Sequence, residues 1–408
     1  MHFNFPRTAT SMASGLRCFR CERFIAQKDV KTELLCECGG PLLQQYELSR
    51  LSRGDREALK ARPWGLWRYR ELLPVEDKAH IVSLCEGGTP LIELPAMGDA
   101  LDVRQLAVKD EGRNPTGTFK ARGASVGVSR LAELGVKLIA MPTVGSGGSA
   151  WSAYAAKARI DILVGLPQEG NLPAIAPVEA ALYGAGVVKV PGYITDAFKT
   201  FRAQAAEKGA TVAGAFLEPY RLEGEKTIGY EIAEQFAWSA PDWIVWPTGG
   251  GVGLVGLAKA FRELKELGWL EGPFPGFVSV QVAGCSPVVD MIMGPSNNAA
   301  PRHLDTVAPG IAVPTQPFGD LLRGMTEGFR MLGAAVSDRE ILADLTQVAR
   351  QEGVLLSPEG AAGVAAVRTL RARKLMSPGS SVVVVNTATG LRYPEVLSRL
   401  ALDGKSAR

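Results

Sequence analysis

The feature that most constrains this chain is an alternation between residues 160 and 245. Apolar runs DILVGL, GVVKV, ATVAGAF and WIVWPT are separated there by helical stretches PAIAPVEAALYGA, ITDAFKTFRAQAAEKG and KTIGYEIAEQF. Short apolar runs spaced by helix-length segments fit buried strands joined by crossover helices, which predicts a mostly parallel α/β sheet. Further on, DREILADLTQVARQEG and EGAAGVAAVRTLRARK carry the helical apolar period, and SVVVVNTATG reads as a buried strand running into a loop. No fixed-period repeat or low-complexity segment breaks the pattern. With 408 residues, 46% of them hydrophobic, the chain is long enough for two domains and a small appendage.

Ligands in α/β sheets gather where strands end and helices begin, and three such junctions stand out. In LIAMPTVGSGGSAW, glycines at 145, 147 and 148 with Thr143, Ser146 and Ser149 offer backbone N–H groups at a helix start, suited to a carboxylate or phosphate. A tight packing turn is the competing reading. In PTGGGVGLVGL, Gly249, Gly250, Gly251, Val252 and Gly253 follow the strand WIVW and open a helix, so amides can wrap a phosphate with no side chain in the way. The G-G-G-x-G spacing lacks the G-x-G-x-x-G of a dinucleotide fold, and no ribose-binding acid accompanies it. The third junction is KDEGRNPTGTFKARG at 109–123, where Asn114-Pro115-Thr116-Gly117 breaks the preceding element and Thr116 or Thr118 can cap the next helix. Lys120 then falls in the first turn beside Phe119. The positive end of the helix dipole and a packed aromatic both favour its neutral amine, a nucleophile toward aldehydes. Taken alone, such a lysine is more often a solvated surface residue.

Near the N-terminus, Cys18-x2-Cys21 and Cys36-x-Cys38 make two close pairs, the thiol number that a tetrahedral zinc site requires. The second pair is tighter than the C-x2-C of a zinc ribbon and is expected to seat one ligand poorly, so a bound zinc and a metal-free remnant both stay open. A nucleic-acid finger would need a basic, aromatic recognition element that is missing. Residues 41–80 read as a packing linker with short helices around Trp64-Gly65-Leu66-Trp67, and EGGTPLIEL at 86–94 as a loop entering a strand. The segment 294–320 reads as an irregular loop over the site's mouth. Cys285 is expected in the core, since no histidine neighbours it. The net charge of +3 is too balanced to advertise a nucleic-acid or membrane partner. The first residues lack a continuous apolar run, no later stretch has the length of a membrane span, and the cysteines do not form a secreted disulfide framework, so a cytoplasmic setting is expected.

The string N-P-T-G-x-F-K-x-R-G resembles the cofactor-lysine signature of the threonine synthase branch of the fold type II pyridoxal-phosphate enzymes, and the resemblance extends over nearly the whole chain. It implies fold type II: a large α/β domain from residues 51–110 and 215–408, a smaller α/β domain at 111–214, and the cysteine-bearing segment 1–50 in front. Family members are usually homodimers. It further implies that Lys120, with Phe119 beside it, holds pyridoxal 5′-phosphate, that Gly249–Gly253 cradles its phosphate and that Thr387 meets the pyridine nitrogen. The 143–149 loop would grip a substrate carboxylate through Thr143, Val144, Gly145 and Gly147. Ser146 stands where the family has an asparagine at the cofactor's ring oxygen, Ala121 replaces the usual Asp, and Ala388 replaces a glycine.

The implied reaction is that of threonine synthase, O-phosphohomoserine to threonine and phosphate, with Lys120 as the base once released. A related β-eliminating or β-replacing enzyme, an ammonia-lyase or synthase, fits the departures at 121 and 146. A non-enzymatic cofactor-binding protein is the alternative of a different class.

Overall fold

The computed structural model describes residues 10–32, 34–169, 172–192, 194–295 and 304–403, without the side chains of 194–197 and 403. Part of the expected loop at 294–320, residues 296–303, lies outside the described residues, as do positions 1–9.

The described strands form three sheets. The largest holds β4 (Leu91–Glu93), β5 (Gln105–Asp110), β10 (Trp243–Pro247), β11 (Gly276–Val282), β12 (Met331–Val336) and β13 (Ser381–Asn386) in the order β12-β11-β10-β13-β5-β4. All neighbours run parallel except β4, which pairs antiparallel with β5 at one edge. The central position of β13 explains its unbroken run of buried valines, Val382 to Val385, because helices cover both faces of a parallel sheet. A second sheet, fully parallel, has β6 (Leu138–Pro142), β7 (Asp161–Pro167), β8 (Gly186–Val190) and β9 (Thr211–Val212) in the order β8-β7-β6-β9. β9 is only a two-residue piece of the expected ATVAGAF strand. The third sheet, β2-β1-β3, is built from β1 (Ala13–Cys18), β2 (Phe24–Ala26) and β3 (Leu42–Tyr46), all antiparallel, and holds the cysteine turns at its end. Around Trp67 the expected packing linker is a 3-10 segment, Leu66–Leu72, with every residue buried.

The helix Lys120–Glu133 packs against Tyr220–Glu225 so closely that a Cβ at Gly224 would lie 2.1 Å from the carbonyl oxygen of Arg122. That contact sits over a cluster of wholly buried charges. Arg122 Nε donates to Glu111 at 2.6 Å, its Nη1 to Glu231 at 2.6 Å, and Lys109 Nζ to Glu231 at 2.6 Å. All four side chains are 0% exposed. Thr89 joins them, its hydroxyl donating to Glu111 at 2.6 Å, its carbonyl accepting from Lys109 Nζ at 2.7 Å and its N–H donating to Glu231 at 3.2 Å, which ties the EGGTP loop to β5 and to the helix Thr227–Gln235. Ala121, where the resemblance implied an acid, is buried in apolar packing, and the ion pairs form one residue later.

Leaving two buried carboxylates short of a cation costs roughly 3–5 kcal/mol. Arg122→Met is therefore expected to lower the denaturation midpoint of the full chain markedly; a midpoint within experimental error of the wild type would show that the cluster carries no stability.

Candidate active site

The residues named by the sequence motifs converge because their strands end together. Lys120 follows β5, the 143–149 loop follows β6, the glycine loop follows β10, and Thr387 is the first residue after β13. Between the carboxyl ends of these strands lies a cleft of about 240 Å³. Phe119, Lys120, Thr143, Val144, Ser146, Gly147, Gly249, Gly250, Gly251, Val252, Gly253 and Thr387 all line it. Gly145 does not. It turns the chain at φ +124° into the helix Ser146–Ala158, with its N–H donated to the Thr143 hydroxyl at 3.1 Å.

Lys120 is the first residue of its helix, and its N–H is donated to the Thr118 hydroxyl at 3.2 Å. The expected threonine cap is not formed: Phe119 occupies the N-cap position without a side-chain cap, and Thr118, one residue earlier, makes only this local contact, while the Thr116 hydroxyl is buried with no hydrogen-bond partner among the described residues. The Lys120 side chain, about a quarter exposed, reaches into the cleft over the Phe119 ring, with Nζ 3.9 Å from the ring centroid and 3.1 Å from Glu225 Oε1. Burial pushes its pKa down; Glu225 opposes that shift and Arg221 reinforces it. Desolvation is the largest influence, and it favours the neutral amine.

In the glycine loop, Gly251 adopts φ +87°, a left-handed conformation that only glycine accepts without strain, and it caps the helix Val252–Glu266. A Cβ on Gly253 would lie 1.8 Å from the Trp246 ring, and one on Gly249 2.4 Å from the Gly310 carbonyl oxygen. At Gly250 the nearest atom would be Ala215 Cβ, at 3.7 Å, so that position alone in the triplet has room for a side chain. Trp246 also supports Phe119 edge-on, with centroids 5.3 Å apart. The lysine and the glycine loop thereby share one rigid support.

The sequence reading passed over several walls of the cleft. Arg221 lines it, held by Glu218 at 2.9 Å and lying 5.1 Å over the Trp151 ring. Burial raises the Glu218 carboxyl to about 7 although Arg221 opposes the shift. Glu359 and Tyr393 line the opposite side; burial pushes both groups upward, and the Glu359 carboxylate accepts from the Gly310 N–H at 3.2 Å. A run such as EPYRLEGEK reads as a solvated helix face; its one warning was Gly224, which permits the close helix contact that buries it. Cys285 is buried, as expected.

Away from the cleft, Cys18, Cys21, Cys36 and Cys38 bring four thiol sulfurs within 4.8 Å of one another. The expected poor seating of the C-x-C pair is not observed: Gly39, at φ +75°, turns the chain so that Cys36 and Cys38 both face the first pair.

Comparison with known proteins agrees with this architecture. The family described as pyridoxal-phosphate dependent enzyme matches residues 82–388. Threonine synthase of Methanocaldococcus jannaschii is 32% identical over 94% of this chain and 94% of that protein, and threonine synthase of Methanosarcina acetivorans 33% identical over 94% and 93%. Among solved structures, maize serine racemase superposes with a TM-score of 0.64 at 20% identity, covering 78% of this chain and 93% of that one. A threonine deaminase from Solanum lycopersicum gives 0.62 at 19%, covering 77% and 82%. The chain belongs to the fold type II pyridoxal-phosphate-dependent enzymes, in their threonine synthase-like branch.

Proposed function

We propose that this enzyme converts O-phosphohomoserine to threonine and phosphate. The observation that carries the reading is the meeting, in one cleft, of a desolvated Lys120 with the side-chain-free loop Gly249–Gly253, within a chain that aligns with threonine synthases along almost its whole length. The cleft fits pyridoxal 5′-phosphate: amides at a helix start face a space that a Cβ at Gly250 would enter, and the amine needed for covalent attachment stands in the same wall.

When bound, the cofactor supplies an electron sink for a carbanion at the substrate's α-carbon. The chain's own residues do the rest. Gly249, Gly250, Gly251, Val252 and Gly253 would hold the phosphate and Thr387, after β13, the ring nitrogen, while Phe119, packed edge-on against Trp246, would line the wall beside them. The loop of Thr143, Val144, Ser146 and Gly147 takes the substrate carboxylate at a helix start. Lys120, its pKa lowered, accepts the α-proton at Nζ, with Glu225 steadying the amine between transfers. The homodimer and cytoplasmic setting implied by the resemblance belong to this reading, and sedimentation and cell fractionation check them.

One observation favours a second reading. Among the described residues lining the cleft, Arg221 is the cation besides Lys120, and the Glu218 carboxylate already partners it. Together with Ser146, this suits a substrate whose leaving group is less anionic than a phosphate, as in β-elimination or β-replacement on a serine-type amino acid. Mixing the enzyme with O-phosphohomoserine decides: released phosphate with threonine formed supports the first reading, while turnover of only β-substituted amino acids supports the second.

Lys120→Ala should leave the fold intact and cut turnover by at least ~10²–10⁴-fold; an active variant would end the assignment. Gly250→Asp has room for its side chain but sets a negative charge in the phosphate site, so it should fold normally and lose cofactor, seen as loss of visible absorbance. Undiminished cofactor affinity there would sink the cradle.

The pH dependence follows from Glu218. Below about pH 7 its carboxyl is protonated, the Arg221 charge is unopposed, and an anionic substrate binds better; above, the pair closes. KM for O-phosphohomoserine should therefore rise as pH increases through about 7. Glu218→Gln should flatten that rise, leaving only the substrate's own titration, and an unchanged profile in the variant would refute the role.

A further inference from the structure

The four-cysteine cluster lies at the end of the β2-β1-β3 sheet, and its geometry is that of a tetrahedral metal centre. Zinc–sulfur bonds near 2.3 Å place neighbouring sulfurs about 3.8 Å apart at the corners of a tetrahedron. Here Cys18 Sγ and Cys38 Sγ are 3.5 Å apart, as are Cys21 Sγ and Cys36 Sγ, and no pair exceeds 4.8 Å. A disulfide would bring two sulfurs to about 2.05 Å, and all four cysteines are free. Two backbone turns present the thiols. In one, the Glu22 N–H is donated to the Cys18 carbonyl at 3.1 Å; in the other, the Gly39 N–H is donated to the Cys36 carbonyl at 2.8 Å. The Arg20 N–H points at Cys18 Sγ from 3.4 Å, the arrangement that stabilises a thiolate within a turn. Gly40 leaves the space the sulfurs need: a Cβ there would lie 2.7 Å from Cys18 Sγ.

The first turn does more than carry thiols. Arg20, between Cys18 and Cys21, grips Asp320 with two donors, Nε at 2.7 Å and Nη2 at 3.2 Å, and also donates to the Pro317 carbonyl at 3.3 Å. Phe19 packs on the same stretch, its ring filling the space beside Gly324. The segment so held, residues 309–326, forms the outer wall of the cleft. Gly310, Ile311 and Val313 line it, the Gln316 amide donates to the Gly249 carbonyl at 3.0 Å, and Leu322 backs Gly251. A continuous path of contacts thus runs from the thiols through Phe19 and Arg20 to the glycine loop.

We propose that Cys18, Cys21, Cys36 and Cys38 bind one zinc ion, and that this ion orders the Phe19-Arg20 turn that clamps residues 309–326 against the glycine loop. The ion is structural and takes no part in chemistry, since four protein ligands leave no open position. Its removal frees the turn and loosens the outer wall. The consequence for cofactor affinity rests on the reading of Gly249–Gly253 as the phosphate site; the metal itself and the ordering of 309–326 do not.

The test uses the full-length enzyme. Elemental analysis of the native protein should find one zinc per chain, and Cys38→Ser, with an exposed ligand replaced, should lose it while keeping its circular dichroism. Hydrogen exchange should then quicken in residues 309–326, and pyridoxal phosphate should bind less tightly, with Kd raised at least ~5-fold, the lower end of ordinary coupling between sites. Arg20→Ala should retain zinc and reproduce the faster exchange. Where Cys38→Ser does not fold, stripping zinc from the native enzyme with a chelator replaces it. A native protein without zinc and with four titratable thiols, or one whose colour and content identify iron, overturns the metal assignment. Zinc that can be removed with no change of exchange in 309–326 overturns the clamp. Protein that binds zinc and shows the exchange effect but takes up no pyridoxal phosphate would sink the proposed function and leave this inference standing.

Discussion

Everything about the cleft depends on the burial of Arg122. A guanidinium taken wholly out of water costs several kcal/mol in desolvation, and that cost is offset only where its donors meet carboxylates in good geometry. Glu111 and Glu231 provide that geometry, and the strength of the attraction shows in an Arg122 pKa raised against desolvation and a Glu231 carboxyl held far below the usual range. Four segments meet in this cluster: the loop carrying Thr89, β5 with Lys109, the first turns of the Lys120 helix, and the helix bearing Glu231. Because Arg122 lies two residues beyond Lys120, fixing the guanidinium fixes the start of the helix. A lysine whose chemistry needs a set position thus borrows rigidity from a charge network that takes no part in that chemistry.

The same economy recurs in the layer behind the cleft. Glu223 meets Lys226 at 2.5 Å and also pairs with Lys259, while Lys259 Nζ donates to the Gln44 carbonyl at 2.6 Å and the Tyr46 hydroxyl to Glu223 at 2.7 Å. Those last two contacts seat β3 of the cysteine-bearing sheet on the helices Tyr220–Glu225 and Val252–Glu266. The N-terminal sheet is therefore built into the body through buried polar contacts, which are intolerant of slippage because a displaced charge would be left unpaired. This fixed seat lets a small turn such as Phe19-Arg20 act on residues 309–326.

How much of this was legible in the sequence depended on the kind of signal. The parallel sheets were readable because buried strands such as Val382–Val385 need to be apolar on both faces, and the glycine loop because a side-chain-free helix start has few other uses. Lys120 was readable from the turn before it. What stayed hidden were residues whose types ordinarily face water: Arg221, Glu218 and Glu225 in a charged helical run, and Glu359 and Tyr393, which come from stretches far apart in the chain. Burial of such groups is decided by the close approach of two helices at Gly224, a tertiary fact that periodicity does not carry. The lowered Lys120 pKa was legible in direction, but the size of the desolvation behind it is a property of the closed cleft and not of the motif.

Ser146, a departure from the branch's motif, lines the same cleft as Arg221 and Glu359. At 146 a short hydroxyl occupies the first position of the helix and withdraws volume from the wall beside Thr143 and Gly147. At 218 a buried acid holds Arg221, so the cation reaching the cleft is already half neutralised, to a degree set by a proton with a pKa of about 7. Glu359 on the far wall is also pushed upward by burial, as is the Tyr393 hydroxyl. The charge beside Arg221 is thus tied to a carboxyl that titrates at about 7, while the glycine loop, Lys120 and Trp246 form a wall without such a group. On the proposed reading, a neutral Glu218 would leave Arg221 free for a phosphate, and an ionised one would favour an uncharged group in its place.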